Sequence, residues 1–483
     1  MADLREPPTE DNQADAARET ATETSRSAST ELLAPFDLDP HFVATVVGAA
    51  GDHDRPLLRR LLLPLHPADF AAVLAQVREE TFKTVVRLLG PDFPPEALAE
   101  LSDELREEAL ELLPSDVVGR ALGDLDTDDA TAIVADLDED DLEEVLAAAP
   151  NDVRLAIETN LAFDEETAGR LVQREFVAAP EFWTVGQSID HMRDVADDLP
   201  DLFYEVYVVD PSFRPIGVVA ASDLLRGRRA VALREIMEAP RILIRPEMDQ
   251  EEVAFAFQKY SLISAPVVDE AGRLTGMITV DDIVHVIQEE NKEDILALAG
   301  VNDANMADTV FNTVASRAPW LFVNLLTALA ASFLISRFSG VLEQLVALAV
   351  LMPIVASMGG NTGTQTVAVV VRAMASRELT ASNAVRIVGR EIGAGLINGG
   401  MFATILAIVA WVAYHNPLIS LTIGLATILN LTAGALAGIL IPLALKRAGA
   451  DPAVSSTVFV TFVTDMVGFC AFLGLASIII LGS

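Results

Sequence analysis

A single carboxylate lies near the C-terminus in a segment that is otherwise apolar. Residues 457–481 are long enough to cross a bilayer, and Asp465 is the only charged residue among them. Small or hydroxyl residues share one helical face with it: Thr457, Thr461, Thr464 and Gly468. Burying an ionisable group in a membrane is costly. The stripe therefore predicts a functional face toward water or a partner, with a structural ion pair or a protonated carboxyl as the alternative.

A second polar set interrupts another apolar segment, residues 351–371. Its hydrogen-bonding side chains are Asn361, Thr362, Thr364, Gln365 and Thr366, and its helix-weakening residues are Pro353, Gly359, Gly360 and Gly363. We expect an interrupted helix whose polar groups face protein or water, either as pore lining or as polar packing between helices. Residues 389–400 and the pair Gly434 and Gly438 predict close helix packing.

The groups around Asp465 indicate which ion would suit them. They are hard oxygen groups, and the sequence has no Cys/His cluster of the kind that zinc or copper prefers. Magnesium dehydrates reluctantly, so a few carboxylates and carbonyls can recognise it through its waters. One carboxylate under-compensates a dication, and a two-fold dimer would bring two copies of Asp465 to one axis.

Five hydrophobic segments follow Arg317 and predict an all-α transmembrane domain. They lie near residues 319–337, 344–371, 385–413, 417–445 and 455–481. If the N-terminus is inside, the cytoplasmic connections carry Arg372, Arg377, Arg386, Arg390, Lys446 and Arg447. The connection around residues 414–418 has no Lys or Arg, as the positive-inside rule requires. This orientation places the large N-terminal part in the cytoplasm and the C-terminus outside.

Charge divides the chain into two halves. The net charge is −38 overall, made up of −41 over residues 1–316 and +3 over residues 317–483. The acidic half excludes nucleic acid and anionic lipid surfaces as partners, and leaves cations, basic partners or adaptation to high salt. Residues 1–31 are polar and predict a disordered tail without a signal peptide. Cys470 is the only cysteine, so no intrachain disulfide forms.

A repeat with an offset of 59 residues lies between residues 166 and 290. Residues 208–224 match residues 267–283, and each copy predicts strand, turn, strand and helix. This resembles a CBS-domain pair, an α/β regulatory module that often binds adenine nucleotides. The family's nucleotide motif is intact at Gly276, Thr279 and Asp282, whereas Ala220 replaces the hydroxyl in the first copy. A pair that serves only as hinge and dimer surface is the alternative.

Residues 36–160 show a looser helical repeat, in which acidic or hydroxyl N-caps precede short apolar-periodic helices. This predicts a compact superhelix. Acidic clusters in this region include Asp126, Asp128 and Asp129. Each of these residues is interpreted as a helix cap. Residues 287–317 begin acidic and become amphipathic, and they predict a helix that connects the repeat pair to the first span.

These parts, in this order, resemble the MgtE family of bacterial magnesium channels over nearly the whole chain beyond residue 35. The most specific stretches are residues 359–366, 464–469 and 292–295, and the Asp451–Pro452 pair. The resemblance implies that Asp465 binds hydrated Mg²⁺ at a dimer axis. It also implies that the Thr461 carbonyl lies nearby and that Gly360 and Asn361 line the path.

The resemblance also implies cytosolic magnesium sites that sense the ion. The matching positions are Asp282, Glu290, Glu293, Asp294 and Asp451. His285 stands where the family often has an acidic residue. Because each cytoplasmic half carries −41, we expect the two halves of a dimer to repel until magnesium bridges their carboxylates and holds the connecting helix over the pore.

The sequence therefore predicts a multidomain membrane protein. Its parts are a tail (1–35), an acidic helical N domain (36–165), two CBS domains (166–233 and 234–290), a connecting helix (291–317) and a pore domain (318–483). The expected function is Mg²⁺ uptake through a homodimeric channel in the bacterial inner membrane, with adenine nucleotide as a further candidate ligand. A carrier or exporter, and a non-transporting sensor scaffold, remain alternatives. No nucleophile–base set or phosphate loop indicates an enzyme.

Overall fold

The computed structural model describes residues 33–34, 37–135, 137–196, 199–200, 202–301, 310–379, 383–450, 452–453 and 456–482. Contacts divide the chain into two compact units, Met1–Val286 and Ile287–Ser483. Residues 1–32 of the predicted tail and Asp451 lie outside the described residues, whereas residues 33–34, also assigned to the tail, form a short strand.

The first unit begins with a short antiparallel pair, β1 (Leu33–Ala34) and β2 (Asp37–Leu38), and continues as a helical domain. Its helices are α1 Pro40–Gly51, α2 Arg55–Leu62, α3 Pro67–Gln76, α4 Glu79–Leu89, α5 Pro95–Ala99, α6 Asp103–Leu112, α7 Ser115–Ala121, α8 Thr127–Val134, α9 Glu139–Ala148 and α10 Asn151–Leu161. One apolar core runs through them, from Phe42 on α1 to Ile157 on α10. The predicted all-helical N domain is confirmed.

The prediction of acidic or hydroxyl caps throughout this domain is wrong at eight of its ten described helices, where no acidic or hydroxyl side chain makes the capping hydrogen bond. Asp39 and Asp54 do cap α1 and α2 through their side chains. In contrast, His66 caps α3, Pro114 occupies the N-cap of α7, and Asp126 at the N-cap of α8 makes no capping hydrogen bond. The acidic residues at the start of α8 therefore have another environment, described below.

The repeat pair follows. Its elements are β3 Ala178–Pro180, α11 Val185–Asp194, β4 Glu205–Val209, β5 Pro215–Ala220, α12 Ala221–Arg226, α13 Leu233–Ile236, α14 Gln250–Tyr260, β6 Ser264–Val268 and β7 Leu274–Thr279. β4 pairs antiparallel with β5, as β6 does with β7, and both strands of the second hairpin start 59 residues after their equivalents. β3 adds in parallel to β4, and Ile244 forms the corresponding parallel bridge to Val267. The predicted duplication is confirmed.

The two repeats are joined at equivalent positions. Ser264, which begins β6, donates a hydrogen bond to Glu205, which begins β4 (2.6 Å), and the Tyr207 hydroxyl lies 2.5 Å from the Ser264 hydroxyl. Burial raises the pKa values of both Glu205 and Tyr207. These contacts join the first repeat to the second through partly buried polar groups.

Helix α15 (Val280–Leu298) leads into the second unit, which contains the membrane helices. They are α16 Val310–Ser336, the short α17 Ser339–Gln344, α18 Val346–Ala375, α19 Ala384–Tyr414, α20 Pro417–Arg447 and α21 Ser456–Ala476, after which a π-helical turn spans Ser477–Leu481. The described residues contain five helices that are long and apolar enough to span a membrane. The five predicted spans are confirmed.

The predicted interruption of the second span is wrong, because α18 is one continuous helix through Pro353. Thr362, Thr364 and Thr366 donate their hydroxyl hydrogens to carbonyls four residues earlier in the same helix, at 3.0 Å each. Their polarity is thus satisfied locally. The glycines that suggested a break instead allow close packing.

Glycines of α18 and α20 pack against each other. A methyl group on Gly434 would lie 2.5 Å from the Gly359 carbonyl oxygen, and one on Gly438 would lie 2.7 Å from that of Gly363. Backbone therefore meets backbone at this crossing, as predicted for Gly434 and Gly438. In residues 389–400 the prediction holds only in part, because Gly395 and Gly399 contact α20 whereas the space around Gly393 is open.

We expect Gly434→Ala to destabilise the protein by about 1–3 kcal/mol, because the new methyl group must push α18 and α20 apart. Gly393→Ala is the matched control and should be neutral or slightly stabilising, since nothing lies within 4 Å of the added carbon. Thermal unfolding of both full-length variants in the same detergent measures the difference. Equal melting temperatures would contradict the backbone contact.

Candidate cation sites

The first candidate site is a set of carboxylates in the first unit, which we call the acidic cluster: Asp126, Asp128, Asp129 and Asp282. The first three flank the N-terminus of α8, and Asp282 lies in the first turn of α15. The fold of the first unit brings these two helix starts together. As a result, the charge of Asp282 raises the pKa values of both Asp128 and Asp129. Residues 154 positions apart in the sequence thus share one site.

Asp128 is the most buried member of the acidic cluster. Only 7 % of its surface is exposed. Its carboxyl lies against that of Asp282, which raises the pKa of Asp128, and Asp282 also accepts a hydrogen bond from the Thr279 hydroxyl (2.6 Å). Two carboxyl groups in direct contact cannot both ionise without strong repulsion, so without a cation the pair retains a proton.

The pKa values of the whole cluster reflect its burial and the repulsion between its carboxylates. Burial, followed by the charge of Asp282, raises the pKa of Asp129 to about 7. Burial and the charge of Glu175 raise the pKa of Asp126 to about 6. The pKa values of Asp128 and Asp282 are raised chiefly by burial. At neutral pH the cluster therefore lacks the positive charge that would stabilise its ionised form.

Two buried oxygen atoms beside the cluster have no hydrogen-bond partner: Oδ1 of Asp128 and Oε1 of Gln173. The Gln173 side chain hydrogen-bonds Asp126 and lowers the pKa of that carboxyl. Leaving buried acceptors unpaired carries a desolvation cost, which points to a missing ligand. Carboxylate and amide oxygens are suitable ligands for a hard divalent cation.

The described residues contain no group of three or more His, Cys, Asp or Glu side chains already arranged to hold a metal ion. The acidic cluster is thus close enough for mutual repulsion but not converged on one point.

The remaining predicted sensor residues fall elsewhere. Glu290, Glu293 and Asp294 lie on α15 beyond the start of the second unit, while Asp451 is outside the described residues. Interpreting Asp126 as a helix cap was wrong. The signal that could have revealed the cluster is the crowding of three acidic residues into four positions, 126–129, at one helix start. The identity of their distant partner Asp282 depends on the tertiary fold.

The residues of the predicted nucleotide motif make contacts within the protein in the same region. Gly276 lies against Gln173, with Gln173 and Met277 exchanging backbone hydrogen bonds of 2.8 Å. Thr279 bonds Asp282, which belongs to the acidic cluster. Nucleotide binding by Gly276, Thr279 and Asp282 stays a prediction, and it would compete with the cluster for Asp282.

The second candidate site is Asp465 on α21. The carboxylate is half-buried and makes no hydrogen bond or ion pair with the described residues. Arg390, at the predicted cytoplasmic end of the third span, bonds Glu391 at 2.9 Å. The carboxylate is therefore left free to meet an ion, water or another chain.

The residues of the predicted polar stripe on α21 differ in their exposure. Thr464 and Gly468 are buried against neighbouring helices, Thr461 is exposed, and Asp465 is half-buried. Gly360 of α18 lies beside Thr464, since a methyl group there would be 3.7 Å from the Thr464 hydroxyl oxygen. The adjacent Asn361 is exposed. The structure thus places Gly360 and Asn361 next to the helix that carries Asp465.

The end of α15 packs on the membrane helices within the second unit. Ala297 belongs to an apolar cluster with Val367 of α18, Ala437 of α20 and Val460 of α21. The Thr457 hydroxyl, on the same stripe as Asp465, donates to the Leu298 carbonyl at 3.0 Å. The first part of the predicted connecting helix (291–317) is the end of α15, which begins earlier and ends at Leu298, whereas residues 310–317 belong to α16. The end of α15 is fastened at the first turn of α21.

Sequence models of three families match the chain. The one described as "Divalent cation transporter" matches residues 352–475, "MgtE intracellular N domain" matches residues 65–166, and "CBS domain" matches residues 233–289. Together they fall on the membrane helices, the helical domain and the second repeat.

Two relatives are similar over most of their length. The magnesium transporter MgtE of Thermus thermophilus is 33% identical over 438 residues, which are 89% of this chain and 97% of the relative. The protein of the same name from Bacillus subtilis is 32% identical over 327 residues, 67% of this chain and 71% of the relative.

Two solved structures are similar to the soluble part. The soluble part of a magnesium transporter aligns with 52% of this chain and 98% of its own, at 25% identity and a TM-score of 0.46. The cytosolic domain of the Mg²⁺ channel MgtE in complex with ATP aligns with 50% and 99%, at 32% identity and a TM-score of 0.46.

We expect the stability of the cation-free protein to fall as pH rises. Carboxyls whose pKa is raised on folding stabilise the fold below their unfolded pKa, and this contribution is lost as pH rises through the folded values, about 6 for Asp126 and about 7 for Asp129. Melting temperatures of the full chain with chelator, from pH 4 to 8, measure the trend. Added Mg²⁺ should restore stability at pH 8.

Asp128→Asn tests the cause of this trend. It should raise the melting temperature with chelator at pH 8, because the amide replaces a buried carboxyl that must take up a proton on folding. It should also reduce the stabilisation by Mg²⁺, because it removes a carboxylate ligand. Asp141→Asn, at an exposed position on α9, should change neither quantity. A variant that matched the wild type with and without Mg²⁺ would rule out the acidic cluster as the cation site.

Proposed function

The chain belongs to the MgtE family of divalent cation transporters, and we propose that it is a channel for Mg²⁺ uptake whose pore is lined by α18 and α21. The observation that carries the proposal is the unpaired Asp465 carboxylate on a membrane helix, beside Gly360 and Asn361. The relatives are named magnesium transporters, which are not enzymes.

The proposed ligand of Asp465 is a hydrated magnesium ion. A half-buried carboxylate without a partner in its own chain gains most from a cation that retains its water, because these waters bridge to oxygens such as the Thr461 carbonyl. One carboxylate leaves a dication under-compensated. We therefore propose a homodimer in which two Asp465 side chains share the ion at the two-fold axis.

The proposed gate is the connecting helix. One helix, α15, carries Asp282 of the acidic cluster near its start and the Leu298 carbonyl, bonded to Thr457, at its end. A cation in the acidic cluster would favour the conformation in which this cluster is closed, and would thereby hold α15 against the membrane helices. High internal Mg²⁺ is then expected to close the channel, with Glu290, Glu293, Asp294 and Asp451 as further proposed sensor ligands.

The proposed location is the bacterial inner membrane, with the N-terminal domains in the cytoplasm and the C-terminus outside. It is supported by the five apolar helices and by the arginines of the second-to-third connection. Adenine nucleotide at Gly276, Thr279 and Asp282 is a proposal supported by the motif alone. A carrier, an exporter or a sensor scaffold would share this architecture, and single-channel recording separates a channel from the others.

We expect Asp465→Ala to abolish growth rescue of a magnesium-auxotrophic bacterium, because the ion loses its proposed carboxylate ligand in each chain. Wild type and Glu343→Gln, which alters an acidic residue at the other end of the membrane domain, should both rescue. Expression is checked by immunoblot. Rescue by Asp465→Ala would remove the proposed role of the carboxylate, and failure of the wild type would favour the scaffold.

Gating is tested in excised patches. Wild-type conductance should fall as internal Mg²⁺ rises from zero to millimolar concentrations. Asp128→Asn should need a higher concentration for the same closure, by about tenfold if the variant loses about 1.4 kcal/mol of differential affinity for the closed state. Asp141→Asn should respond like the wild type. Conductance that is independent of internal Mg²⁺ in the wild type would contradict the gate.

A further inference from the structure

Asn430 is a buried amide at the centre of the membrane domain. It lies on α20 and has no solvent exposure (0 %). Asn430 takes no part in the proposed function, and neither the composition of the sequence nor the spacing of its residues indicates a role for it. Polar groups buried at membrane depth require a partner, so the surroundings of this side chain indicate its role.

One end of the amide is bonded and the other is not. Nδ2 donates to the Val355 carbonyl of α18 at 2.8 Å, whereas Oδ1 is buried without a partner. The orientation is determined by this bond, because a flipped amide would place two acceptor oxygens against each other. The side chain therefore connects α20 to the backbone of α18.

The amide also fills a slot between two glycines on different helices. A methyl group on Gly468 of α21 would lie 2.7 Å from Nδ2 and 3.1 Å from Cγ of Asn430. A methyl group on Gly359 of α18 would approach the same amide still more closely. The side chain of Asn430 thus occupies space that exists only because both positions lack a Cβ.

These two glycines adjoin the proposed ion path. Gly359 immediately precedes Gly360 and Asn361, and Gly468 lies about one turn after Asp465. The Asn430 amide therefore lies between α18 and α21 next to these groups. A change in the size of this side chain would allow the two helices to shift at this point.

We propose that Asn430 is a positioning residue, which sets the separation between the oxygen groups of α18 and the Asp465 carboxylate. The inference rests on the proposed function, because it assumes that both helices line the path. Recognition of an ion through its waters depends on oxygen spacing, since displacements of under 1 Å change which hydrated ion fits. Asn430 would then affect the discrimination among divalent cations without contacting the ion.

The test uses full-length protein in proteoliposomes and measures uptake of Mg²⁺ and of Ca²⁺. Asn430→Ala should raise the KM for Mg²⁺ about fivefold or more and lower the Mg²⁺-to-Ca²⁺ uptake ratio by a similar factor, with a smaller change in maximal rate. Thr427→Val is the matched control. Thr427 is equally buried on α20, but its hydroxyl bonds only the Ile423 carbonyl of its own helix.

The double variant Asn430→Ala/Gly468→Ala separates positioning from packing. Its added methyl group occupies space vacated by the amide, so thermal stability should recover toward the wild type while KM and the uptake ratio stay altered. It also serves as the test protein if the single variant does not fold. Wild-type KM and uptake ratio in the double variant would overturn the inference and leave the proposed function intact. Absence of Mg²⁺ uptake by the wild type would overturn both.

Discussion

The structure depends on carboxylates that are removed from water without a positive charge beside them. Asp465 is half-buried at membrane depth and unpaired among the described residues, while Asp128 is buried against Asp282 and its pKa is raised. Such arrangements oppose folding unless a cation compensates for them. Both arrangements support the proposed cation sites, one at the membrane helices and one in the first unit.

Several features were accessible from the sequence because they are periodic or additive. The five spans follow from hydropathy over about 20 residues, and the repeat follows from its constant offset of 59 residues, which the two hairpins reproduce. Asp465 was also found from the sequence, since one charge in an apolar segment is conspicuous without any knowledge of the fold.

Other features depend on contacts between distant parts of the chain. The acidic residues at 126–129 were interpreted as caps because a local pattern cannot reveal that Asp282 lies beside them. The glycines of α18 were interpreted as a break, although they form a contact surface for Gly434 and Gly438. Asn430 gave no signal at all, because its partners Val355, Gly359 and Gly468 lie on two other helices. In each case tertiary packing overrides the local propensity.

In the proposed gate, the continuity of α15 makes its length a functional property. Asp282 and Leu298 lie on one helix of 19 residues, in which each residue advances the chain by about 1.5 Å and turns it by about 100°. Insertion of a single exposed residue between them would remove none of the proposed ligands and none of the apolar core residues. It would nevertheless rotate one end of the helix relative to the other. The number of residues in this segment is thus as restricted as the identity of any side chain in either site.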